Sequence, residues 1–163
     1  MKTIIEFIEN PETGQQEVYE LINKVRQEAS QSVDQMQMFK FIMNGLEFLE
    51  KHGIPIAAQK YFVDMREDGR PYTIQLVKEL RNHVPLLEFR VNWKGLGAFR
   101  AIFFEYYYSN TQILIFTKSI IKKSTYSQEF EEIVQQSELL YSNFLENPHK
   151  YIHLEEVGTN ESS

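Results

Sequence analysis

The chain has 163 residues and no cysteine, and its 17 Lys and Arg are outnumbered by 23 Asp and Glu, for a formal charge of −6. This length suits one domain with a sizeable core, and the missing cysteine excludes disulfides, thiolate nucleophiles and thiolate metal sites. Apolar runs such as residues 113–116 fall far short of the ~18 residues of a membrane span. Glu6 and Glu9 come too early for a secretory h-region, so a cytoplasmic chain without membrane attachment is expected.

Ile4-Ile5-Glu6-Phe7-Ile8 is a short β-branched run and predicts a strand, broken by the loop Asn10-Pro11-Glu12-Thr13-Gly14. Val18, Leu21, Ile22, Val25 and Ala29 share one helical face, predicting a helix over 15–30. Ser32 and Gln35 stand as a capping box for a second helix, whose expected stripe is Met36, Phe39, Ile42, Met43, Leu46 and Leu49. Gly53 and Pro55 stop it, so 15–52 reads as a helical hairpin.

Residues 57–82 contain a turn at Glu67-Asp68-Gly69-Arg70-Pro71, and the flanks are left open between short helix and irregular chain. After Pro85 the period becomes 2, with Leu87, Phe89, Val91 and Trp93 on one face and Glu88, Arg90 and Asn92 on the other. Lys94-Gly95-Leu96-Gly97 is a hairpin connection to a strand over 98–108, apolar on both faces and therefore central. Ser109-Asn110 turns into a third strand over 112–118, making an antiparallel meander. A last helix is expected over 127–146, with Phe130, Ile133, Val134, Leu139, Leu140, Phe144 and Leu145 as its apolar residues. The prediction is an α+β domain over 1–148, one small antiparallel sheet with helices packed on it, followed by a polar, acidic tail over 149–163.

The net charge conceals a gradient. Residues 78–127 hold eight basic and three acidic residues, a net of +5, which leaves −11 for the rest. Phe89, Trp93, Phe99, Phe103, Phe104 and Tyr106–Tyr108 lie in the same block. Cations interleaved with aromatics suit single-stranded nucleic acid, because phosphates attract cations and unstacked bases need flat partners. The competing reading is an ordinary aromatic strand with basic residues on its exposed face.

Other chemistries lack their residues. There is no phosphate-binding glycine motif, nucleophile elbow or histidine pair at metal spacing. His52, His83, His149 and His153 are scattered, and the pairs Glu131-Glu132 and Glu155-Glu156 sit in polar surroundings. No metal and no cofactor is expected.

The strand block, Leu87-Glu88-Phe89-Arg90, Phe99-Arg100-Ala101-Ile102-Phe103 and Phe116-Thr117-Lys118-Ser119-Ile120-Ile121-Lys122-Lys123-Ser124, resembles the RelE/ParE toxin superfamily, in its HigB-type and phage-derived branch. Glu88-Phe89-Arg90 is similar to the Glu-Leu-Arg of one family strand, Phe99-Arg100 to the Tyr/Phe-Arg of the next, and Phe116, Lys118 and Lys122 fall at the offsets of the third. The opening strand, the Asn-Pro-Glu-Thr-Gly loop and the helix pair extend the resemblance over about residues 1–148. Ser119 stands where the family has a second basic residue, and Lys123-Ser124-Thr125-Tyr126 replaces its Thr-Pro.

The resemblance implies a type II toxin that cleaves mRNA in the ribosomal A site, paired with an antitoxin, often a helix-turn-helix repressor. It implies catalytic roles for Arg90, Arg100, Lys118 and Lys122 on one concave sheet face, the arginines clamping the phosphate and the lysines contacting backbone or moving protons. Lys123 and Tyr126 are candidates for substrate contact, Tyr126 by base stacking or acid work. The competing readings pair the arginines with Glu88 or Glu105 and make Lys122-Lys123 an exposed lysine turn. The alternative in function is a toxin-fold protein that binds rather than cuts, a ParE-like gyrase inhibitor or a phage or host interaction module.

Overall fold

The computed structural model describes residues 1–154. In chain order it holds β1 (Lys2–Phe7), α1 (Glu17–Glu28), α2 (Val33–His52), α3 (Ile56–Gln59), β2 (Phe62–Met65), β3 (Pro71–Ile74) and β4 (Val77–Glu79). There follow β5 (Leu87–Trp93), β6 (Gly97–Tyr108), β7 (Thr111–Lys122), α4 (Gln128–Glu146) and a 3-10 turn, Pro148–Lys150. Five strands form one sheet in the order β1-β7-β6-β5-β4, and β2 pairs with β3 in a separate two-stranded sheet. β5, β6 and β7 are the expected antiparallel meander, while β1 joins β7 in parallel.

Both faces of the main sheet are covered, which is why β6 is apolar on both sides. One face carries Phe89, Val91, Phe99, Phe103 and Phe116 against Val18, Ile22 and Val25 of α1 and Phe41, Ile42 and Leu49 of α2. The other carries Ile102, Phe104, Ile113 and Ile115 against Val134 and Phe144 of α4. Gly45 lets α2 close onto the sheet, because a Cβ there would lie 3.0 Å from Leu76 and 3.1 Å from Phe89. The capping box begins as expected, with Ser32 Oγ accepting from the Gln35 N–H at 3.1 Å.

Three local expectations change. The buried stripe of α2 is Gln37, Met38, Phe41, Ile42, Gly45, Leu46 and Leu49, whereas Met36 and Met43 face solvent. Met38 and Phe41 take the core positions instead, and Phe41 stacks on Tyr72 at 4.0 Å between centroids. In α4, Leu139 and Leu145 are exposed while Ser137 is fully buried, held by a hydroxyl contact to Thr117 at 2.7 Å. The open segment 57–82 is α3 followed by β2, β3 and β4, so there are two sheets instead of one. Its apolar residues Phe62, Ile74, Leu76 and Val77 are too dispersed in sequence to show a period, yet all are buried.

Packing also continues beyond Pro148. Tyr151, Ile152 and Leu154 are buried beside Ile8 and Phe144, so the first residues of the expected tail complete the core on the α4 side. Glu155, Glu156 and the remainder lie outside the described residues. Among the described residues no helix is long and apolar enough to cross a membrane.

Candidate nucleic-acid interface

A one-residue bulge decides which side chains share the α4 face of the sheet. In β7, Phe116 pairs with Phe103 but Lys118 pairs with Ile102, leaving Thr117 as the extra residue. Before the bulge the odd residues Ile113 and Ile115 face α4, and after it the even residues Lys118, Ile120 and Lys122 do. Three cross-strand rows result on that face: Glu88–Ile102–Lys118, Arg90–Arg100–Ile120 and Asn92–Ala98–Lys122.

Arg90 and Arg100 are therefore direct neighbours, with Lys122 diagonal to Arg100. Like charges side by side on a sheet repel, and each guanidinium has a local partner. Arg100 Nε lies 2.9 Å from Glu88 Oε1, with the side chains only 11% and 10% exposed, and its Nη1 donates to the Phe99 carbonyl at 3.1 Å. Arg90 Nε donates to the Gln75 carbonyl at 2.9 Å, leaving its two Nη groups without a partner among the described residues. Burial holds the Arg100 guanidinium below its ordinary pKa, Glu88 opposes that shift, and Arg90 adds to it.

Lys122 lies over the Phe130 ring of α4, 5.3 Å from its centroid. Beside it Ala98, Arg100, Lys123, Ser124 and Thr125 complete an open groove whose lining, among the described residues, holds no carboxylate. Tyr126 is 76% exposed at the next turn of the chain. Lys118 is held apart: its ammonium pairs with Glu17 at the start of α1, in a depression that also includes Glu9 and Glu12. The structure thus gathers Arg90, Arg100, Lys122 and Lys123 at one end of the sheet, with Tyr126 nearby in sequence and Lys118 turned to the β1 side. Of the two carboxylates expected to meet these arginines, Glu88 pairs with Arg100. Glu105 instead accepts from Gln112 and Tyr107, each at 2.8 Å.

The groove continues around the tip of the β5–β6 hairpin. Lys123 and Ala98 also border a second depression with Trp93 and Lys94, and Trp93 borders a third with Asp34, Arg66 and Tyr72. Trp93 shares a face with Leu87, Phe89 and Val91, as its period predicts, and packs near Phe41 at 5.4 Å between centroids, while also bordering both of these surface depressions. Arg66 comes from the segment without a readable period, so no sequence signal placed it beside Trp93. The described residues include no group of three His, Asp or Glu able to hold a metal. His83 pairs with Glu138 and His153 with Glu9, while His52 rests on Phe48. No family model, curated protein or solved structure matches this chain.

Proposed function

We propose that the chain is a RelE/ParE-type toxin, in the HigB-like manner, that arrests translation in the cytoplasm by engaging mRNA on the ribosome at the cationic end of its sheet. The supporting observation is the groove of Arg100, Lys122 and Lys123, with Arg90 alongside and no carboxylate among the described residues of its wall. Electrostatics of this kind attracts a phosphate backbone even when the whole molecule is acidic.

The chemistry needs little from the protein. The RNA 2′-hydroxyl is the nucleophile, attacking the adjacent phosphorus and expelling the 5′-oxygen of the next nucleotide to leave a 2′,3′-cyclic phosphate. The protein orients that attack and offsets the charge on the pentavalent phosphate. In this reading Arg90 clamps the phosphate, and Lys122 and Lys123 hold flanking backbone. Tyr126 is exposed for stacking or proton donation. Lys118, occupied by Glu17, takes no part in this groove. A cognate antitoxin, for which a helix-turn-helix protein is the family expectation, would silence the toxin.

Arg90→Glu and the pair Lys122→Glu with Lys123→Glu, soluble and folded, should abolish growth arrest and mRNA cleavage read by primer extension. Full toxicity in both variants would sink the assignment. Binding should also weaken with salt. For about three phosphate contacts on single-stranded RNA the affinity falls roughly 20-fold between about 50 and 200 mM salt.

One observation favours a second reading. Arg100 is held by Glu88 and the Phe99 carbonyl, which leaves it less free to clamp a phosphate and favours a toxin-fold protein that binds without cutting, such as a ParE-like gyrase inhibitor. Inhibited DNA supercoiling with intact mRNA would select it.

A further inference from the structure

The aromatic corner beside the groove has a chemistry of its own. Trp93 Nε1 donates to Asp34 Oδ1 at 2.9 Å, which holds the carboxylate while Oδ2 has no partner among the described residues. The Arg66 guanidinium lies 5.1 Å from the Trp93 ring with its Nη2 3.3 Å from Asp68 Oδ2, and its Nε is buried with no hydrogen-bond partner. Behind Trp93, Phe41 and Tyr72 are stacked at an interplanar angle of 6°. The Tyr72 hydroxyl is clamped to the main chain of Asn92, donating to its carbonyl at 2.9 Å and accepting from its N–H at 3.1 Å. The ring, the carboxylate and the guanidinium are thus positioned before any ligand arrives.

Charge gives the corner a direction. Asp34 lies on the α2 side, while Lys94 and Lys123 lie on the hairpin side, toward the cationic groove. A nucleotide fits that polarity with its base at the carboxylate and its phosphate at the lysines. Among the bases, guanine offers two adjacent donors, N1–H and the 2-amino group, to one carboxylate, and presents O6 and N7 as acceptors to an arginine. Cytosine and adenine have no such donor pair beside an acceptor edge.

We infer that Trp93, Asp34 and Arg66 form a guanine-reading subsite for single-stranded RNA. The base stacks on the exposed part of the indole and Asp34 accepts from its Watson–Crick edge. The inference rests on the proposed RNA reading and adds a base preference to it.

Trp93 is the only tryptophan in the chain, so its fluorescence reports the subsite directly. The probes are the oligoribonucleotides UUGUU, UUAUU and UUUUU, together with GMP. UUGUU should quench the emission and bind about tenfold tighter than the other two. Asp34→Asn keeps an acceptor for the indole N–H but loses the carboxylate, and should shrink the preference below about threefold with general RNA affinity retained. Lys122→Glu with Lys123→Glu should weaken all three RNAs equally and leave the preference intact.

RNA binding without quenching or preference, or a preference unchanged in Asp34→Asn, overturns the subsite and leaves the RNA reading standing. Quenching by GMP, lost in Asp34→Asn, with no binding of any RNA supports the subsite and overturns the RNA reading. No response to RNA or to GMP overturns both.

Discussion

The pair Glu88–Arg100 is the residue-scale feature on which fold and proposed function meet. Two charges this buried repay their desolvation only while both are present. Glu88→Ala should therefore cost about 3–5 kcal/mol in denaturant unfolding, because it leaves Arg100 buried without a counter-charge. Replacing both residues by apolar ones, Glu88→Leu with Arg100→Met, should recover most of that stability. If it does, loss of toxicity in the folded double variant reports the role of Arg100 apart from its packing. Tyr72 supplies a pH test. Burial raises its hydroxyl above the ordinary pKa of 10.0. Since the folded state favours the protonated phenol, its contribution is complete below about pH 10 and is lost as pH rises through the folded-state value. The loss of stability above about pH 10 should be less steep in Tyr72→Phe than in the parent chain, read as melting temperature against pH.

At the scale of elements, the bulge in β7 and the end of α2 control where side chains go. Thr117, fully buried, donates its hydroxyl to the Ile102 carbonyl at 3.1 Å and meets the Ser137 hydroxyl of α4 at 2.7 Å. Thr117→Val keeps the shape but removes both bonds, and should cost about 1–3 kcal/mol by leaving buried polar atoms unpaired. Weakening here also loosens the register that sets Lys122 on the α4 face. Gly53 ends α2 at φ +68°, and a Cβ there would lie 2.7 Å from Thr3 Oγ1 and 2.9 Å from Gln112 Oε1. Gln112 itself bridges the Ile54 main chain to the sheet, accepting at 3.2 Å and donating at 3.3 Å. Gly53→Ala should destabilise by more than about 1–2 kcal/mol, since the strained backbone and the close contacts add.

Across the whole molecule, the two faces of the sheet are covered, and Lys122 and Lys123 at its cationic end have no carboxylate partner among the described residues. The chain segment after α4 secures the second of those faces. A chain ending at Pro148 loses buried Tyr151, Ile152 and Leu154, each of the aliphatic pair worth roughly 1.5–3 kcal/mol of burial. Against a typical total of about 5–15 kcal/mol, this truncation should lower the melting temperature sharply and reduce soluble yield. Unchanged melting would show that the segment does not support the core.

Local pattern determined much of this protein. Period-3.6 spacing marked α1 and α2, alternation marked β5, and the turns at Lys94–Gly97 and Ser109-Asn110 marked the hairpins, because each depends on neighbours within a few residues. The segregation of cations and aromatics into residues 78–127 was likewise legible by counting. Tertiary structure decided the rest. The pairing of β1 with β7 spans most of the chain, and the small sheet of β2 and β3 has no period strong enough to read. The bulge at Thr117 shifts the face of every later residue in β7, and a single unpaired position leaves no mark in a strand apolar on both sides. The same holds for the cations: their presence is a matter of composition, but whether each meets solvent, a carboxylate or an aromatic ring depends on contacts made between distant segments. Arg100 meets Glu88, Lys118 meets Glu17 and Arg66 meets both Asp68 and the Trp93 ring, while Lys122 and Lys123 line the groove with Arg90 beside it.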